Sequence, residues 1–76
     1  MEIYKFIIEL TNELNENLFY NIEIDKEYNN YDKTYLIQVT AERENRKYGC
    51  GFSIHENWLN DNSINEIINF LLMQYF

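Results

Sequence analysis

The sequence predicts an α+β fold of order helix, strand, strand, strand, helix (αβββα), a three-stranded antiparallel sheet with both helices on one face. Two changes of hydrophobic period carry this reading: a helical period at each end of the chain and a period of two between them. A third observation is the register of the last two strands, in which every inward residue meets another. Seventy-six residues without repeat, linker or low-complexity tract make a single domain, 1–76. A core of that size buries only about 60% of the unfolded chain's surface.

Residues 3–17 place Ile3, Phe6, Ile7, Leu10 and Leu14 at the i, i+3, i+4, i+7 spacing of an amphipathic helix. Glu2, Glu9, Glu13 and Glu16 fall on the opposite side. Asn15 and Asn17 mark its end, where a short polar side chain tolerates left-handed geometry. From Tyr20 the period becomes two: Tyr20, Ile22 and Ile24 alternate with Asn21, Glu23 and Asp25 as a half-buried strand. Lys26 to Lys33 reads as a polar connection.

The second strand turns Tyr35, Ile37, Val39 and Ala41 to one face, and the third does the same with Tyr48, Cys50, Phe52 and Ile54. A tight turn at Glu44-Asn45 opposes Ala41 to Tyr48, Val39 to Cys50, Ile37 to Phe52 and Tyr35 to Ile54. A slip of one residue would send one apolar set to the wrong face. The same register sets Glu42 against Lys47, a favourable cross-strand pair. Ser63-Ile64-Asn65-Glu66 fits a capping box with Ser63 at the N-cap. Ile64, Ile67, Ile68, Leu71, Leu72 and Tyr75 follow as the stripe of the second helix, with Trp58 and Leu59 closing one end of the core.

Composition narrows the function. Thirteen acidic against six basic side chains give a net charge of −7, yet 17% of the residues are aromatic. Acidic chains poor in aromatics stay disordered, whereas this one can fold and hold its charge on a shaped surface. Nucleic acids and anionic membranes attract Lys and Arg, so neither is expected as a direct partner. The longest apolar run, Phe70 to Met73, is far short of the roughly 20 residues of a membrane span. Met1 to Lys5 lacks the features of a signal peptide. The reading is a cytoplasmic protein of a bacterial cell.

The main candidate for chemistry is the acid array: Glu2, Glu9, Glu13 and Glu16 on the first helix, Glu23 and Asp25 on the first strand, Glu27 and Asp32 beyond it. On a helix, positions 9, 13 and 16 are neighbours, and like charges so placed cost stability that a basic partner would restore. The plainer alternative is a solvated face that keeps a small protein soluble. Tyr28 and Tyr31 sit among these acids. One of them supplies an interface anchor, or one folds back over the sheet edge. Leu36, Gln38 and Thr40 face outward opposite Ser53, Gly51 and Gly49, where two glycines leave a shallow trough; twist or a bulge is the commoner reason for Gly there. Phe70, Met73 and Phe76 lie off the main stripe of the second helix, and they either form an exposed patch for a homodimer or fold under Trp58.

No enzyme is expected. Cys50 faces inward as a small hydrophobe, and His55 lies beyond a strand end with no positioned third group. There is no phosphate loop, cofactor motif or metal-spaced cluster.

The element order is also that of the double-stranded-RNA-binding domain, but that family has a basic start to its second helix. Here the stretch is Asn60-Asp61-Asn62-Ser63-Ile64-Asn65-Glu66. In size, charge and element order the whole chain resembles the small acidic phage inhibitors of bacterial defence, anti-CRISPR proteins among them. That resemblance implies a nucleic-acid mimic whose carboxylates occupy a basic groove of a defence protein. An immunity protein or antitoxin plugging a nuclease, and a small oligomeric assembly subunit, are the alternatives.

Overall fold

The computed structural model describes residues 2–76, with the side chains of Glu2, Asp61, Asn62 and Ser63 outside the described set. Helix α1 (Glu2–Glu16) is followed by strands β1 (Tyr20–Asn29), β2 (Thr34–Arg43) and β3 (Arg46–His55), a 3₁₀ turn (Glu56–Trp58) and helix α2 (Asp61–Tyr75). The sheet is antiparallel in the order β1-β2-β3. Both helices cover the face to which β2 turns Ile37, Val39 and Ala41. There Ile3, Phe6, Leu10 and Leu14 of α1 meet Ile64, Ile68 and Leu71 of α2. Among the described residues no polar or charged side chain is buried.

Helix α1 ends in a Schellman arrangement. The Phe19 amide donates to the Leu14 carbonyl and the Leu18 amide to the Asn15 carbonyl, both at 3.0 Å. The left-handed residue is Leu18 (φ 69°) rather than Asn15 or Asn17. The reason is tertiary: this bend drives Phe19, absent from the expected core, into contact with Leu14 in the buried cluster. Asn17 serves with its side chain, donating to the Glu13 carbonyl at 2.7 Å.

The hairpin of β2 and β3 has the expected register, including Glu42 opposite Lys47. Glu44 and Asn45 lie at φ 54° and 65°. A two-residue turn needs both positions left-handed to match the twist of its strands. The Glu42 carboxylate accepts from Asn21 Nδ2 at 2.7 Å, so its hydrogen bond runs toward β1.

Strand β1 departs from expectation at both ends. Asn21 is left-handed (φ 52°), and the pairing shifts between Tyr20 and Glu23, a β-bulge. The extra residue reverses the alternation, so Tyr20 pairs with outward Glu42 and is exposed, while Ile22 and Ile24 stay inward. At the other end, Lys26 to Asn29 are strand, not connection, and pair with Thr34 to Ile37. Their inward side chains are not aliphatic. Tyr28 leans on Tyr35 with ring centroids 4.7 Å apart, and Lys26 lays its ammonium over the Tyr4 ring, 4.9 Å from its centroid.

The second helix begins two residues before the expected cap. The Ile64 amide donates to the Asn60 carbonyl at 3.1 Å, which places Asn60 at the boundary. Asn60 Nδ2 also donates to the Asn57 carbonyl and ties this boundary to the 3₁₀ turn; Ser63's side chain lies outside the described residues. Leu59 closes the core, whereas Trp58 is 61% exposed, and Tyr75 is exposed rather than part of the buried stripe. Phe76 is half-buried against the core, while Phe70 and Met73 stay exposed. The Phe76 ring meets Phe19 edge to face at 5.3 Å, and Phe19 meets Tyr48 at 5.4 Å.

Arg43 locks this aromatic corner. Its guanidinium lies 4.4 Å from the Phe19 centroid and donates to backbone oxygens of Asn17 and Phe76, each at 3.4 Å. Two cation–π contacts, the second over Tyr48 at 5.7 Å, and two long hydrogen bonds make Arg43→Met cost about 1–2 kcal/mol, read by urea denaturation. Replacing Glu44-Asn45 by Asn-Gly removes a glutamate from left-handed geometry. The double variant is expected to gain about 0.5–1 kcal/mol in the same measurement.

Candidate partner-binding surface

The wet face of the sheet follows from the dry one. Residues directly opposite one another share a face, so the pairs Glu23–Thr40, Asp25–Gln38 and Glu27–Leu36 all point away from the helices. Glu23, Asp25 and Glu27 are thus an exposed row along the outer face of an edge strand. Two residues of strand separate each carboxylate from the next, about 6.6–6.8 Å. Lys26, the strand's only cation, is turned by the same alternation to the opposite face, over Tyr4. Glu23 accepts a long bond from the Thr40 hydroxyl at 3.5 Å.

The row continues into the β1–β2 turn. Asn29 Oδ1 accepts from the amides of Tyr31 and Asp32 at 2.8 and 3.1 Å, and Asn29 Nδ2 donates to Asp32 Oδ2 at 3.2 Å. These bonds hold Asp32 in place and leave Tyr31 at the tip, 94% exposed. A shallow hollow of about 640 Å³ lies over Glu27, Tyr31, Asp32, Leu36 and Ser53. Another of about 820 Å³ lies over Glu23, Thr40, Glu42, Lys47 and Gly49 at the far end of the same face. The register of β3 is continuous, so no bulge accounts for Gly49 and Gly51.

Not all the sequence-predicted acids meet here. Glu23, Asp25, Glu27 and Asp32 gather with Tyr31. Glu9, Glu13 and Glu16 belong to the helical layer on the other side of the sheet, the first two half-buried. Glu2 has its side chain outside the described residues. Tyr28 is engaged within the fold, donating its hydroxyl to the Glu56 carboxylate, so of the two tyrosines Tyr31 is the one that projects. Sequence reasoning missed the Asn21–Glu42 bond that borders the hollow. Its one signal was an asparagine, a residue that enters left-handed geometry readily.

The pair Cys50 and His55 is split between the two faces of β3. Burial pushes the Cys50 thiol up, and His55 Nδ1 accepts from the Asn57 amide at 3.1 Å, capping the 3₁₀ turn. Among the described residues no helix is long and apolar enough to cross a membrane. In comparison with known proteins, the chain matches no family model, no curated protein and no solved structure.

The hydrogen bond to Glu56, reinforced by that carboxylate's negative charge, pushes the Tyr28 hydroxyl up to about 12. The folded value lies above the ordinary one of about 10, so the folded state holds this proton more tightly. Its contribution to stability is intact below pH 10 and is lost as pH rises from about 10 to 12. A spectrophotometric titration should show one tyrosine ionising at about 12. Tyr28→Phe should abolish that step and Glu56→Gln should lower it; a curve unchanged by both would contradict the assignment.

Proposed function

We propose that this chain is an acidic inhibitor, a nucleic-acid-mimic decoy whose outer sheet face enters a basic groove on a bacterial defence protein and blocks nucleic-acid binding there. The observation that carries the reading is the row Glu23, Asp25, Glu27, continued by Asp32, with Lys26 turned to the other face. A row at regular spacing along one rigid edge presents charge as a phosphate backbone does, to Lys and Arg already arranged for one. The resemblance to small anti-CRISPR proteins in size, charge and element order points the same way.

One groove engages one face. The outer-face row makes the contacts, and Glu9, Glu13 and Glu16 act through the long-range field, screened beyond about 8 Å at physiological salt. Exposed ion pairs contribute about 0.2–1 kcal/mol each, so four carboxylates alone give weak binding. Tyr31 and Leu36, exposed on the same surface, supply the desolvated contact that charge cannot. Charge then sets the association rate and the choice of partner. An immunity protein or antitoxin for a nuclease would use the same surface by the same physics, so the identity of the captured protein separates the two.

The test compares two reversals. Glu23, Asp25 and Glu27 all changed to Lys should lose at least tenfold in capture of nucleic-acid-binding proteins from a bacterial lysate. The variant should also fail to displace nucleic acid from the captured protein in a gel shift. The same change at Glu9, Glu13 and Glu16 should cost less than threefold. Equal losses from both would show that net charge acts without a defined surface and would refute the outer-face reading.

A further inference from the structure

The two edges of the sheet are built differently. Strand β1 carries the devices that keep an open edge from pairing: a bulge at Asn21 and the charged run Glu23, Asp25, Lys26, Glu27. Strand β3 has neither. Its register is continuous over ten residues, it contains no proline, and no charged residue occurs from Tyr48 through Ile54.

The ladder fixes which of its backbone groups are free. A two-residue turn with both positions left-handed closes on a hydrogen-bonded pair, here Arg43–Arg46. Alternation then directs residues 46, 48, 50, 52 and 54 to β2. The amides and carbonyls of Lys47, Gly49, Gly51 and Ser53, and the amide of His55, whose carbonyl caps the 3₁₀ turn, face outward along the edge. A Cβ at Gly51 would meet nothing nearer than 3.8 Å, so the fold itself does not require glycine there. Beside this edge runs an apolar groove of about 250 Å³ between β3 and α2, whose lining includes Phe52, Ile54, Trp58, Ile67 and Phe70. Phe70 is 58% exposed.

We propose that a second copy of this chain pairs antiparallel along the β3 edge, two-fold symmetric about Gly51, so that two sheets become one of six strands and the α2 of each copy covers the other's groove. Charge selects this occupant. A chain of net charge −7 associates with itself most readily where carboxylates are few or paired with cations, and residues 46–55 contain none while offering Arg46 and Lys47. The register that uses all five free positions sets Lys47 against His55 of the second copy, Gly49 against Ser53, and Gly51 against itself. It brings Arg46 beside Glu56 of the second copy, twice by symmetry. Tyr28 occupies only Oε1 of Glu56, which leaves Oε2 for the guanidinium. The interface is isologous and closes on itself, as a two-fold dimer must. The two acid rows then border one continuous outer face, about 24 Å apart at five inter-strand spacings of about 4.8 Å.

Sedimentation equilibrium of the purified chain from 1 to 500 µM tests this, with circular dichroism to confirm folding. The wild type should form a dimer and no larger species. Gly51→Pro removes an outward amide that β2 does not use, and should weaken the dimer at least tenfold. Arg46→Glu should do the same, while Arg46→Glu combined with Glu56→Arg should restore it to within threefold of wild type. If Gly51→Pro fails to fold, the charge exchange decides. A wild type monomeric at 500 µM overturns the proposal, as does a dimer that ignores the charge exchange. A dimer abolished by Phe70→Glu but indifferent to Gly51→Pro and Arg46→Glu would be a helix-only contact and overturns it equally.

Discussion

The alternation of β2 governs where almost every other side chain lies. Ile37, Val39 and Ala41 take the dry face, and both helices assemble over them. Leu36, Gln38, Thr40 and Glu42 are thereby committed to water, together with whatever β1 and β3 set beside them. A central strand of a two-layer fold can cover only one of its faces. The carboxylates of β1 are therefore not scattered by chance. Glu23, Asp25 and Glu27 are outward because Ile22 and Ile24 are inward, and a single-residue shift would bury the acids.

The bulge at Asn21 shows how tightly that constraint is held. Without the extra residue, Tyr20 would share the inner face with Ile22 and Ile24. With it, Tyr20 passes to the outer face, where its hydroxyl accepts from the Asn45 amide at 3.3 Å. Phe19 takes the interior position instead, against Tyr48 and Phe76. The left-handed turn at Leu18 and the bulge at Asn21 act on either side of this one ring, and Arg43 covers it. Leu18 itself is exposed. A bulky residue in an unfavourable backbone region is retained because the ring that follows it lands in the core.

Much of this fold was legible because its signals are local or come in pairs. The stripe on α1 and the register of β2 with β3 each had several residues agreeing. The features that escaped are set by contacts distant in sequence. Phe19, Arg43 and Phe76 meet only once the sheet and both helices are in place, and none carries a periodic signal. Lys26 to Asn29 read as a loop because a lysine stem and a tyrosine ring fill the inward positions that aliphatic residues usually hold. The candidate surface was half visible: the acid residues were apparent, but the side of the sheet each occupies depends on a bulge that one asparagine announces only weakly.

The division of the acids between two layers changes what the net charge can do. Spread over a sphere, seven excess negative charges would steer any basic partner without orienting it. In this chain the helical acids and the strand row lie on opposite sides of the sheet, so a partner docked on one face does not contact the other set. The field from α1 can accelerate approach, but only the outer face combines regular charge with an exposed aromatic and a concave floor. The β3 edge carries no carboxylate over its length, so on the proposed reading it would stay usable with the outer face occupied. Attraction of a basic partner and association of like chains are opposed demands on an acidic surface. On the same reading, a carboxylate row on the outer face beside a β3 edge without carboxylates would let a chain of this size meet both.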